Sequence, residues 1–144
     1  MIQHDTIKLL RECDSGVQMG ISSIDEVFPN VCSDSMKQCL DRCRKEHSRL
    51  NDEIQDYLHQ SCDQGKEPSP ILKGMSWIKT NMMLGMDDSD QTIAGLMTDG
   101  CNMGVKSLSR YLNEYKAADE YSKDIAKRLI KQEEQLAIDM RSFL

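Results

Sequence analysis

Cys39, Cys43 and His47 follow one another at steps of four. On a helix such steps stack side chains along one face, and thiol and imidazole are soft ligands for zinc or copper. The run spans about 12 Å of helix, so a single ion cannot readily use all three. Asp14, Asp99 and Glu133 add carboxylates, and Cys13 and Cys101 add thiols. Carboxylates and imidazole on facing helices are the requirement of an oxygen-handling di-metal centre. The carboxylates bridge and neutralise two cations, and the imidazole adds a nitrogen ligand. The candidate metal ligands are therefore Asp14, His47, Asp99 and Glu133, with Cys13, Cys43 and Cys101 as soft neighbours. Iron, manganese and zinc are the ions such a set would take. A plainer reading competes: a buried histidine paired with a carboxylate holds helices in register and needs no cofactor.

The spacing favours the plainer reading. A di-iron bundle uses Glu-x-x-His on two helices. His47 has Arg44 three residues before it, and residues 119–143 contain no histidine. His4 and His59 fall near element ends, where exposure is expected. No Cys-x-x-Cys pair exists, which excludes a zinc ribbon and a thioredoxin-like motif. There is no Gly-x-Gly-x-x-Gly fingerprint and no phosphate loop. Nothing in the spacing of Ser22, Ser23 and His47 requires a hydrolytic triad. No catalytic residue is expected.

The elements that must position these groups follow from apolar steps of three and four. Ile7, Leu10, Cys13, Val17, Ile21 and Ile24 predict a helix over 4–28, with Asp5 as cap and Phe28-Pro29-Asn30 as its end. Met36, Leu40, Cys43, His47, Leu50, Ile54 and Tyr57 predict a second over 34–62, capped by Ser33 or Asp34. Pro68 and Pro70 mark a break, and a short helix over 71–86 follows, with Trp77 beside its apolar stripe. Ile93, Met97, Gly100, Gly104, Leu108 and Tyr111 predict a helix over 90–116; Gly100 and Gly104 would admit a close neighbour. Ile125, Leu129, Glu133 or Gln132, Leu136, Met140 and Phe143 predict the last, over 119–143. Two short turns and one long connection give an all-α, single-domain four-helix bundle over 1–144, with one long crossover containing a short helix.

The turns set which residues share a level. Asp14 and His47 lie equally far from a turn centred near residue 30.5, so they are expected as partners. Glu133 is expected level with Gly100, with Asp99 and Cys101 beside it. Both layers fall near mid-bundle.

Composition narrows the rest. The 144 residues carry a net charge of -6, and no segment is a basic stripe, so nucleic acid is not an expected partner. No apolar run approaches about 18 residues, so no membrane span is expected. The first residues lack a basic leader followed by an apolar block, so no secretory signal is expected either. The six cysteines lie at helical spacings in a chain long enough to fold without staples, which predicts reduced thiols and a cytoplasmic protein. Met19, Phe28, Trp77, Met83 and Ile138 are apolar residues left over from the inward stripes. They predict a homodimer through the flank of the first helix or the crossover helix.

Several stretches resemble an uncharacterised bacterial family with a ferritin-like four-helix bundle. Ile7-Lys8-Leu9-Leu10-Arg11-Glu12-Cys13-Asp14-Ser15-Gly16 resembles its first helix, and Arg44-Lys45-Glu46-His47 the part of its second that ends in His. Leu72-Lys73-Gly74-Met75-Ser76-Trp77-Ile78-Lys79 resembles its crossover helix, and residues 90–115 its third. The resemblance implies a ferritin-like fold and no particular activity, because that family's function is not established. The expected role is a non-enzymatic scaffold or interaction protein, with a protein partner. The alternatives are a ferritin-like metal-binding protein or oxidoreductase with a degenerate mid-bundle site, and a thiol redox sensor.

Overall fold

Four long helices arise where the apolar steps lie. The computed structural model describes residues 4–61 and 88–144. α1 is His4–Val27, α2 Asp34–Gln60, α3 Asp90–Glu114 and α4 Glu120–Met140. Helix makes up 90% of the described residues, which contain no strand, so the all-α expectation holds there. The expected helix over 71–86, with Trp77 and Met83, and Cys62 lie outside the described residues.

Each start has a local cause. Ser33 Oγ accepts from Met36 N at 3.3 Å, Ser89 Oγ from Thr92 N at 3.2 Å, and Asp119 Oδ1 from Ser122 N at 2.8 Å. These side chains satisfy amides that the first turn of a helix leaves open. Asp5 does not cap α1, which starts one residue earlier; its carboxylate accepts from Ala117 N at 3.1 Å instead. α1 stops where Pro29 sits, and Phe28–Asn30 form a single 3-10 turn.

The inward stripes form two apolar clusters at opposite ends. One joins Ile24 and Val27 of α1, Met36 and Leu40 of α2, Ile93 and Met97 of α3, and Leu136 and Met140 of α4. The other joins Leu9 and Val17, Leu50 and Ile54, Leu108, and Ile125 and Leu129. The order of these residues along each chain segment gives the directions. α1 and α4 run one way, α2 and α3 the other. Two antiparallel hairpins therefore pack with α2 and α3 parallel, so α2 ends and α3 begins at opposite ends of the bundle.

Polar ties lock both ends. Asp90 Oδ1 and Oδ2 accept from Cys32 N and Ser33 N at 2.8 and 2.9 Å, joining the start of α3 to the α1–α2 turn. At the other end Asp119 N donates to Thr6 Oγ1 at 2.7 Å, and Tyr57 Oη donates to the Asp119 carboxylate. Arg128 of α4 grips Glu53 of α2 through two bonds, at 2.8 and 3.0 Å, and also meets Asp124 one turn back at 2.9 Å. Asp90→Ala orphans two backbone amides and removes a negative charge from a helix N-terminus. It should cost about 1–2 kcal/mol, read as a lowered urea midpoint. Asp90→Asn keeps one good acceptor and should cost less. An unchanged midpoint in Asp90→Ala would mean that the tie contributes nothing.

Candidate functional site

A polar layer separates the two apolar clusters. On α2 it falls between Cys43 and Leu50, and on α4 between Leu129 and Leu136. The groups there are His47 and Glu133, 1% and 9% exposed. α1 and α3 place glycines at the same level. A Cβ on Gly20 would stand 2.8 Å from His47 Cδ2, and one on Gly104 would stand 3.2 Å from Glu133 Cδ. At this level α2 and α4 contribute the imidazole and the carboxylate, and α1 and α3 carry the glycines that make room for them.

His47 uses both ring nitrogens. Nε2 lies 3.4 Å from Glu133 Oε1, across the α2–α4 interface. Nδ1 lies 3.6 Å from Cys43 Sγ, one turn back on the same helix. Side chains on a helix lean toward its N-terminus, which lays the long imidazole over the turn that carries Cys43. Cys101 of α3 lies near enough to the Glu133 carboxylate for that charge to raise its thiol pKa. A chain of four groups, Cys43, His47, Glu133 and Cys101, therefore crosses the bundle from α2 to α3.

Burial is the largest single influence on His47 and opposes its charge. The bonds and charges of Cys43 and Glu133 together outweigh it, and the imidazole pKa rises to about 10. Cys101 is pushed far above the ordinary thiol range, by burial first and then by the Glu133 charge. Burial, with Glu12 and Asp14 adding, pushes the Cys13 thiol up to about 12. Cys13, Cys32, Cys39, Cys43 and Cys101 are free thiols.

The raised imidazole makes stability depend on pH, with a definite sign. Its value is 6.5 without these contacts and about 10 in the fold. The protonated form therefore stabilises the fold in full below 6.5, and this contribution is lost as pH rises toward 10. Stability should fall by about 1–2 kcal/mol between pH ~6.5 and ~8.5, measured by urea unfolding. Cys13 and Cys101 add to the fall only as pH nears 9, the ordinary thiol value. The lower window thus isolates the imidazole, and His47→Gln should flatten it. A level wild-type profile there would mean that His47 is neutral in the fold.

The structure brings together only part of the expected set. His47, Glu133, Cys43 and Cys101 meet. Asp14 does not pair with His47. It is half-buried and accepts from Gln18 Nε2 and Gln55 Nε2, each at 2.7 Å. Gln55 lies eight residues beyond His47, because the α1–α2 link is not a simple pivot. It contains the 3-10 turn and an extended stretch through Ser33. Opposed lean of the two sets of side chains moves matched positions further along α2. Asp99 faces solvent. It is two residues from Cys101, hence about 200° around the helix, so the two cannot both point inward. Cys13 is buried in the far apolar cluster. Among the described residues no three His, Cys, Asp or Glu side chains are placed to hold one ion.

Gly20 is the member of the layer that sequence reading missed. The available signal was its place on the α1 stripe, between Val17 and Ile24 at steps of three and four. Gly104 was singled out, but for a close helix; what approaches it is a carboxylate. His4 and His59 are exposed, as expected. Compared with family models, curated proteins and solved structures, the chain finds no match.

Proposed function

We propose that this chain is a non-enzymatic, cytoplasmic helical-bundle scaffold that works by engaging other proteins, a second copy of itself among them. One observation carries the reading. The chemically capable groups bond one another inside the bundle, with His47 1% and Cys101 2% exposed. The surface groove bounded by Gln18, Ile21, Ser22, Asp25 and Glu26 takes none of its walls from that layer. A buried, mutually satisfied polar layer fits a role in register, since any slip of α4 along α2 would leave two polar groups unpaired. No helix among the described residues is long and apolar enough to cross a membrane.

The parallel α2 and α3, joined by one long connection, support a ferritin-like arrangement. That arrangement leaves the alternative of a metal-binding bundle, and elemental analysis separates the two. Protein purified without chelator should hold less than about 0.1 iron, manganese or zinc per chain. One ion per chain, lost with Glu133→Ala, would replace the scaffold by a metal-binding reading. The dimer is tested by mass. Ile138 stays 47% exposed on α4 and Met103 55% on α3, while Phe28 is half-buried beneath the Arg44 guanidinium. Light scattering at about 100 μM should report two chains, and a monomeric mass would remove self-association from the proposal.

A further inference from the structure

We propose that Cys43 is a hydroperoxide-reactive thiol, with the His47 imidazolium supporting its thiolate and Glu133 positioning the ring. The inference is independent of the scaffold reading and rests on geometry within the polar layer. A thiol gains nucleophilic character beside a histidine cation, and a third group that orients that ring fixes the geometry. Cys43 Sγ faces His47 Nδ1 at 3.6 Å, and His47 Nε2 faces Glu133 Oε1 at 3.4 Å. A carboxylate on Nε2 favours the doubly protonated ring, whose Nδ1–H then points at the sulfur. The imidazole pKa of about 10 keeps the ring a cation at neutral pH, and a neighbouring cation favours a thiolate.

The other buried cysteines lack this arrangement. Cys13 sits in an apolar cluster with Glu12 and Asp14 as its charged neighbours, and Cys101 meets the Glu133 carboxylate. Both environments oppose the thiolate. Cys43 alone among the three faces an imidazole nitrogen.

Enclosure defines the substrate. Cys43 is 5% exposed and packs with Ile24, Met36, Leu40 and Met97. A bulky or charged electrophile is excluded, whereas a small neutral hydroperoxide can enter during local opening. The sulfur, held beside the His47 cation, attacks the nearer peroxide oxygen as the thiol proton passes to the farther one. The O–O bond breaks, and the farther oxygen leaves as water. Sulfur is oxidised to sulfenic acid, and the peroxide oxygens are reduced.

The test uses the reduced full chain, hydrogen peroxide and dimedone, with each cysteine peptide quantified by mass spectrometry. Cys43 should label at least about tenfold faster than Cys13 in the native protein, and at the same rate in concentrated urea. His47→Gln and Glu133→Gln should lower Cys43 labelling without lowering that of Cys13. A merely structural role predicts the reverse, because loosening the bundle exposes both thiols. Native Cys43 labelling no faster than Cys13 would overturn the proposal, and so would Cys43 labelling raised by either variant. The wild-type comparison of the two buried thiols decides the matter even if a variant does not fold.

Discussion

His47→Ala should destabilise the protein by about 3–5 kcal/mol, read by urea unfolding at neutral pH. Two losses combine. The imidazole leaves a cavity beside Gly20, where no Cβ can fill in. Glu133, 9% exposed, loses its cationic partner. Glu133→Ala should cost a similar amount, because it strands the imidazole. Replacing both by apolar groups of similar size is different. His47→Leu with Glu133→Met removes two buried polar groups together, and buried pairs replaced in this way are often neutral or stabilised. The double variant should therefore lie within about 1 kcal/mol of wild type, well above either Ala variant. If His47→Ala alone lay within about 1 kcal/mol of wild type, the pair would carry no stability. If the apolar double variant were as unstable as the singles, packing rather than charge would be the cause.

That experiment also separates stability from specificity. A bundle whose stripes are all Leu, Ile and Met can slide by a turn at modest cost. One paired layer raises the cost of every other register, since His47 and Glu133 then face hydrocarbon without partners. A more stable double variant with a broader unfolding transition would show the layer acting on register.

The stripes were legible because an α-helix repeats its inward face every three or four residues. Met36, Leu40, Cys43, His47, Leu50 and Ile54 are all buried as expected. Ends were less legible: α3 stops at Glu114 and α4 starts at Glu120, where the Asp119 cap decides. Across the short α3–α4 turn level matching put Cys101 near Glu133, but the glycine against the Glu133 carboxylate is Gly104, one turn from the expected Gly100. The matching failed across the α1–α2 link, where Asp14 meets Gln55 and Asp25 meets Arg44 at 2.7 Å. A periodic pattern states which face points inward. It does not state how far one helix has advanced past another, because that offset is set by link geometry and side-chain lean. Hence His47 was placed on the right face with the wrong carboxylate. Asp99 failed for a simpler reason: Cys101 occupies the inward direction on that turn.

Gly16, Gly20, Gly95 and Gly104 should respond to mutation to Ala according to the space around each. Each exchange gains up to about 1 kcal/mol, because glycine in a helix loses more backbone freedom on folding. Space decides whether that gain survives. Gly95 has no atom within 4 Å of a built Cβ, and Gly16 has Leu129 Cδ2 at 3.5 Å, an ordinary contact. Gly95→Ala and Gly16→Ala should each raise the melting temperature. At Gly104 the Cβ would stand 3.2–3.3 Å from the Glu133 carboxylate, which ends a flexible side chain and can yield a few tenths of an ångström. Gly104→Ala should therefore lie near neutral or cost about 1 kcal/mol. Gly20 is the severe case. Its Cβ would stand 2.8 Å from His47 Cδ2 and 2.9 Å from Nε2. The ring cannot retreat without leaving Cys43, Glu133 or both, so Gly20→Ala should cost about 2–3 kcal/mol despite its helical gain. The cost should shrink when His47 is already Leu and Glu133 Met, since no bonded ring then has to be displaced. A melting temperature raised by Gly20→Ala, or a cost unchanged in that background, would show that Gly20 does not make room for the imidazole.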